Sequence, residues 1–178
     1  LHRNPWDLYV SWHNHFTPSH PQWREMWGQF AHDPTDHEAV FRGVATVSGP
    51  AIDRGAPLAL VQRAPTPSSL FGPEWYADLQ AREVGVMTGL WESMHLDQDG
   101  EILVDEWWSI DSPEPLGEQV RRTVLAHSTK LAANAATMPL RDIKNSGSRR
   151  RDLSDWMSGG VIELIAYRER ELIERFGY

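Results

Sequence analysis

Histidines near the start of the chain are the first residues whose type and spacing could support chemistry. Six of the eight histidines lie within residues 1–37. If residues 12–16 (WHNHF) are extended, both imidazoles fall on one side of the segment, which suits two ligands of one zinc, iron or manganese ion. Acidic and imidazole groups shortly downstream could complete the site. The candidate metal ligands are His13, His15, Asp33 and His37.

The same pattern has an alternative interpretation without a metal. The segment would then be a polar, aromatic-rich arm whose histidines bond to the backbone or stack on tryptophan. We favour this alternative, because His-x-His alone is a weak signal and no downstream Glu or His has a spacing that strengthens it.

The apolar run that ends in His13-Asn14-His15, soon followed by Pro18, resembles the opening metal motif of amidohydrolase-type hydrolases. The resemblance implies a barrel of alternating strands and helices in which bound metal activates water. Such a barrel needs about 200–250 residues or more. The 178 residues of this sequence are too few, so we do not expect that family. A smaller metal-dependent enzyme built on the same histidines remains one alternative function.

A second candidate site is similar to the twelve-residue calcium loop of an EF-hand. In residues 95–106, aspartates fall at the third and fifth positions, Gly100 at the sixth and an acid at the twelfth. His95 at the first position and Leu103 at the ninth lack the oxygen atoms that calcium prefers. The resemblance implies a single calcium-binding module. Its candidate ligands are Asp97, Asp99, Glu101 and Glu106.

The alternative for this region is a β-hairpin, which we favour over the calcium loop. Residues 90–96 and 101–110 would be its strands, and residues 97–100 a four-residue turn. Such a hairpin would place acidic side chains beside tryptophans on a small docking surface. The predicted interface residues are Trp91, Glu92, Asp105, Trp107 and Trp108.

Charge is distributed unevenly along the chain, whose formal net charge is −8. Residues 83–120 contain ten acidic residues and no Lys or Arg, whereas residues 121–178 contain eleven basic and seven acidic residues. A net acidic chain argues against general nucleic-acid binding, because phosphate contacts require Lys and Arg on one face. The acidic and basic segments could instead pair within one chain or between copies.

The sequence predicts an α+β fold, in which short strands and hairpins pack with C-terminal amphipathic helices. Nine of the twelve prolines lie in the first 73 residues. We therefore expect a Pro-, His- and Trp-rich N-terminal arm over residues 1–70 and an α+β core over 71–178, together one compact domain. Helices are predicted at 21–30, from residue 73, at 117–137 and at 161–176, and further strands at 44–48 and 58–63.

Several enzyme classes leave no motif in this sequence. Cysteine is absent, and there is no Gly-x-Ser-x-Gly, phosphate loop or dinucleotide fingerprint. We expect a non-enzymatic structural or interaction subunit of a larger assembly, for example a particle or tail component of a bacterial virus. It would need no cofactor, and its partners would be protein subunits, with homo-oligomers expected. No signal peptide or membrane-spanning run is evident, so we expect a cytoplasmic or virus-particle location rather than secretion.

Overall fold

The computed structural model describes residues 4–54, 72–104, 107–109, 112–127 and 152–178. Within these ranges the chain is 63% helical and 2% strand, and no sheet is present there. The predicted α+β fold with packed strands and hairpins is therefore wrong. The predicted strand at 58–63 lies outside the described residues.

The described helices are short, with seven to twelve residues each. They are α1 (Pro5–His15), α2 (Pro21–Trp27), α3 (His37–Thr46), α4 (Pro73–Arg82), α5 (Val86–His95), α6 (Leu116–His127), α7 (Gly159–Arg168) and α8 (Arg170–Phe176). Two 3₁₀ turns, Ile52–Arg54 and Leu153–Asp155, lie between them.

Prolines begin helices in this chain. Pro5, Pro21 and Pro73 each stand in the first turn of a helix, where the missing N–H is not needed. The side chain of Asn4 caps α1 by accepting hydrogen bonds from the backbone N–H groups of the next turn. The proline-rich start of the sequence is therefore compatible with helices over most of residues 5–46.

Two segments predicted as strands are helical. Residues 44–46 end α3, and Val47 follows in the left-handed conformation with φ 53°. Residues 90–95 belong to α5, in which Gly89 approaches α4 so closely that a Cβ would lie 2.5 Å from Leu79 Cδ2. This glycine favoured a strand in the sequence pattern, but it serves close helix packing. Short apolar runs are compatible with a strand or with a helix, and here contacts with other parts of the chain favour the helix.

The described helices pack around α3 and α7, which contact each other directly. α5 packs against α3, and α1 against α7. Val40, Val161 and Ile165 are fully excluded from water in this core. The predicted helix at 161–176 exists, but it is interrupted at Glu169, where α7 ends and α8 begins. The predicted helix at 117–137 is present over its described part, Leu116–His127.

The interruption at Glu169 carries a carboxylate with no exposed surface. Its Oε1 accepts a hydrogen bond from Tyr9 Oη (2.5 Å) and one from the backbone N of Met87 (3.3 Å). Its Oε2 accepts hydrogen bonds from the backbone N (2.8 Å) and the hydroxyl (2.6 Å) of Thr88. One side chain thus connects α1, α5 and the α7–α8 junction.

This carboxylate replaces the cap that α5 lacks. The residue before α5 is Gly85, which has no side chain to accept hydrogen bonds from the first turn. Glu169 provides that acceptor from a distant part of the chain, and its negative charge is favourable at a helix N-terminus. Burial nevertheless raises the pKa of Glu169, with its four hydrogen bonds acting in the opposite direction. Burial and the carboxylate together raise the pKa of Tyr9.

A first prediction concerns Gly85, whose missing side chain leaves room for this carboxylate. A Cβ at Gly85 would lie 2.0 Å from Glu169 Oε1. We expect Gly85→Ala to lower the free energy of unfolding by about 2–3 kcal/mol, as overpacking a filled site does. Urea unfolding followed by far-UV circular dichroism measures this.

Gly159 provides the matched control for Gly85. Gly159 begins α7, and nothing lies within 4 Å of the position of its Cβ. Gly159→Ala should leave stability unchanged or raise it by up to about 1 kcal/mol, because alanine favours a helix. Equal stability of the two variants would contradict the tight packing of Gly85 against the carboxylate.

A second prediction concerns the pH dependence that Glu169 gives to stability. A carboxyl group whose pKa is higher in the folded chain binds a proton on folding, between its unfolded and folded pKa values. Its contribution to stability is complete below the unfolded pKa of about 4.3 and is lost as pH rises through the folded pKa. Glu169→Gln removes this titration. The stability of the wild type relative to the variant should therefore fall as the pH rises above about 4.3.

Glu163 offers the control for this measurement, because it is exposed on the same helix, α7. Urea unfolding of Glu163→Gln at the same pH values should reproduce the wild-type profile. A Glu169→Gln profile parallel to that of the wild type would show that Glu169 binds no proton on folding.

Candidate functional site

A groove lies where the start of α3 faces the start of α7. It is lined by residues 35–38 and 154–158 and has a volume of about 490 Å³. Asp36 fixes one wall by accepting a hydrogen bond from Ala39 N at the start of α3 (3.0 Å). Asp152 fixes the other wall by accepting a hydrogen bond from Ser154 N (3.1 Å). Ser158 Oγ donates to Glu38 Oε1 (2.8 Å) and so connects the walls.

The histidines of the predicted metal site separate in the structure. Residues 12–15 lie in α1, so His13 and His15 point in different directions, since successive helical residues turn by about 100°. The expectation of an extended segment with both imidazoles on one side is therefore wrong. His13 is buried, with 4% of its surface exposed. His15 is exposed and packs edge-on against Phe16.

His13 and His37 do come together. Their ring centroids are 5.0 Å apart, with the rings at 79°. His37 also packs against Trp156, which lines the groove, at 5.2 Å. His13 packs against Trp27 on its other side at 5.5 Å. The pair therefore forms a short path of aromatic rings from the groove into the core.

Burial lowers the pKa of His13, and the neighbouring His37 lowers it further. A hydrogen bond to the backbone of Pro34 acts in the opposite direction. The Nε2 atom of His13 has no hydrogen-bond partner.

Asp33, the acidic member of the predicted metal site, is engaged in a turn. Its Oδ1 accepts hydrogen bonds from the backbone N (2.9 Å) and the hydroxyl (2.7 Å) of Thr35. These bonds lower the pKa of Asp33. Among the described residues, no group of three or more His, Asp or Glu is arranged to hold a metal ion.

The candidate calcium loop follows α5, as the EF-hand resemblance implied, and its turn is the predicted four-residue turn at 97–100. Asp97 Oδ1 accepts hydrogen bonds from Asp99 N (2.9 Å) and Glu101 N (2.8 Å). Gly100 adopts a φ of 82°, and an antiparallel bridge joins Leu96 to Ile102. Residues 101–104 and 107–109 are not helical. Glu106 and Asp105 lie outside the described residues.

Of the tryptophans of the predicted interface, Trp91 is buried and Trp107 and Trp108 are half-buried. Trp91 is buried, with 7% of its surface exposed, and stacks on His95 at 5.3 Å. Trp107 packs against both and against Phe176. Trp108 Nε1 donates a hydrogen bond to the hydroxyl of Thr123 in α6 (3.0 Å). These aromatic side chains fasten residues 107–109 to the helices.

Glu92, the described acidic member of the predicted interface, is paired within the chain. Both of its carboxylate oxygens accept hydrogen bonds from Arg82, at 2.5 and 2.8 Å. A short bidentate pair of this kind holds the guanidinium in a fixed orientation. Glu92 therefore joins α4 to α5.

A different surface is exposed at the end of α5. Met94 (61% exposed), Ile102 (44%) and Leu103 (63%) lie within one turn of helix and the turn that follows it. The hydrogen bond from Leu103 N to His95 O (2.8 Å) holds the two pieces of chain together. We call these three residues the apolar tip. Three exposed acidic residues border it: Asp97, Asp99 and Glu101.

Two features of the structure were not predicted from the sequence, although each had a signal there. Glu169 falls in the apolar stripe Val161–Ile165–Leu172, and an acid in such a stripe is a signal of a buried, hydrogen-bonded carboxylate. The apolar tip was missed because Ile102 and Leu103 were assigned to a strand of the predicted hairpin. Their position directly after an acidic turn was the signal of exposure.

Comparison with known proteins adds no assignment to these surfaces. No family model, curated protein or solved structure matches this chain. Among the described residues, no helix has both the length and the apolar character required to cross a membrane. A proposal for function therefore depends on the geometry of the chain itself.

Proposed function

We propose that this chain is an assembly subunit that binds further copies of itself through the apolar tip. The observation that carries the proposal is the exposure of Met94, Ile102 and Leu103 on two pieces of chain that the bond from Leu103 N to His95 O holds together. Scattered exposed apolar residues are common, but a contiguous group with a polar border is typical of a binding surface.

The acidic border of the tip favours a partner surface that is basic. Asp97, Asp99 and Glu101 are exposed, and their segment, residues 83–120, contains no Lys or Arg. Opposite charge around an apolar centre guides association and fixes the orientation of the partners. The partner surface should therefore combine apolar or aromatic area with basic groups.

The chain itself carries a surface of that kind. Tyr167 is 49% exposed, and the guanidinium groups of Arg168 and Arg170 lie 5.9 and 4.8 Å from its ring centroid. We call Tyr167 and Arg170 the basic face; the Nε and Nη1 atoms of Arg168 beside them are buried, and the Tyr167 hydroxyl donates a hydrogen bond to Glu83. Its cation–π contacts keep arginine charge beside an exposed aromatic ring.

The tip and the basic face lie at opposite ends of α5. The backbone N of Gly85, just before α5, donates to Arg168 O (2.9 Å), so the basic face is near the start of this helix. The tip follows its last turn. A ten-residue helix is about 15 Å long, so the two surfaces of one molecule do not meet. Pairing between copies would be head-to-tail, which produces rings or filaments.

A third prediction tests this association by analytical ultracentrifugation of the full chain. We expect concentration-dependent oligomers that weaken as salt increases, because salt screens exposed charges. Leu103→Glu should weaken association at least tenfold, since it places a charge at the centre of the apolar tip. Leu125→Glu is the matched control, because Leu125 is 46% exposed on α6, outside the tip. This variant should associate as the wild type does.

Mixing two variants distinguishes a head-to-tail contact from other contacts. Leu103→Glu retains an intact basic face, and Arg170→Glu retains an intact tip. Each variant alone should be monomeric, whereas the mixture should form a 1:1 dimer and nothing larger. A wild type that is monomeric at all concentrations, or a mixture that stays monomeric, would contradict the proposal.

A further inference from the structure

We propose that His13 and His37 together bind one divalent transition-metal ion at the inner end of the groove. The site is independent of the apolar tip and of self-association. It involves two of the four residues that the sequence indicated, and it excludes His15 and Asp33. The proposed ligand class is an ion that prefers imidazole nitrogen, namely copper or zinc.

One ring nitrogen of His13 is available to bind a metal. The Nε2 atom is excluded from water and has no hydrogen-bond partner. Only 4% of the surface of His13 is exposed, so solvent does not satisfy this nitrogen either.

A buried imidazole nitrogen without a partner fits a metal ligand, because histidine binds a metal through one neutral ring nitrogen. A buried ring nitrogen without a partner is otherwise unfavourable, because its desolvation is not offset by a hydrogen bond. A metal ion at Nε2 would remove that cost.

The separation of the two rings also fits a shared ion. Two imidazoles that bind one ion at about 2.1 Å, with a tetrahedral angle between them, have ring centroids about 5 Å apart. The observed separation of His13 and His37 is 5.0 Å. Edge-to-face packing of two rings reaches the same distance, so the unpartnered Nε2 distinguishes the metal interpretation from simple packing.

The groove gives the ion access and completes its coordination. His37 is exposed and lines the groove, so an ion can reach the pair from solvent. With two protein ligands among the described residues, water would occupy the remaining positions. Affinity should then be modest and follow the usual order, with Cu²⁺ bound more tightly than Zn²⁺.

A fourth prediction tests the site by adding Cu²⁺ or Zn²⁺ to the full chain. Isothermal titration calorimetry should show one ion per chain, bound at least tenfold more weakly by His37→Ala. His37 is exposed, so this variant should fold. His15→Ala is the matched control, because His15 is exposed on α1 beside the proposed ligand, and it should bind as the wild type does.

A spectroscopic measurement locates the ion without removing a buried residue. Zn²⁺ should shift the Nε2 resonance of His13 in a long-range ¹H–¹⁵N correlation spectrum. Equal affinity of His37→Ala and the wild type would overturn the proposal. A His13 Nε2 resonance that Zn²⁺ leaves unchanged would also overturn it and identify the pair as packed aromatic rings.

Discussion

A carboxylate that has no contact with water, that of Glu169, imposes requirements on every element around it. Two backbone N–H groups of α5, the hydroxyl of Thr88 and the hydroxyl of Tyr9 satisfy it. Removing any of these donors would leave a buried carboxyl group with fewer hydrogen-bond partners, which destabilises a protein interior. The same group ends α7 and caps α5, so the position of one helix is tied to the start of another. The close approach also requires glycine at position 85.

α1 is held to the rest of the molecule along one face of aromatic side chains, two of which also donate hydrogen bonds. Trp6, Tyr9 and His13 are spaced three and four residues apart, so they share that face. Trp6 Nε1 donates to Ile162 O in α7 (3.1 Å), and Tyr9 donates to Glu169. His13 packs against the first residue of α3. Directional bonds of this kind fix the rotation of the helix more strictly than apolar contact alone.

The sequence predicted the helices that are read from local signals and failed where long-range contacts decide. Pro73 in a first turn and the stripe Val161–Ile165–Leu172 identified their helices correctly, because such signals act within a few residues. Residues 90–96 were predicted as a strand, yet residues 90–95 belong to α5, whose first turn is capped by Glu169, about eighty residues away. No local pattern contains that information.

The candidate sites show the same division. The turn at 97–100 was predicted correctly, since Asp97 and Gly100 determine it locally. The pairing of His13 with His37 depends on how α1 meets α3, and the error over His15 followed from assuming an extended backbone. Helical geometry separates residues two apart and brings together residues from different elements. A metal at His13 and His37 would therefore join α1 to α3, whereas Glu169 already joins α1 to α5. The ion would stabilise the C-terminal end of α1 and leave the apolar tip, which follows α5, unaffected.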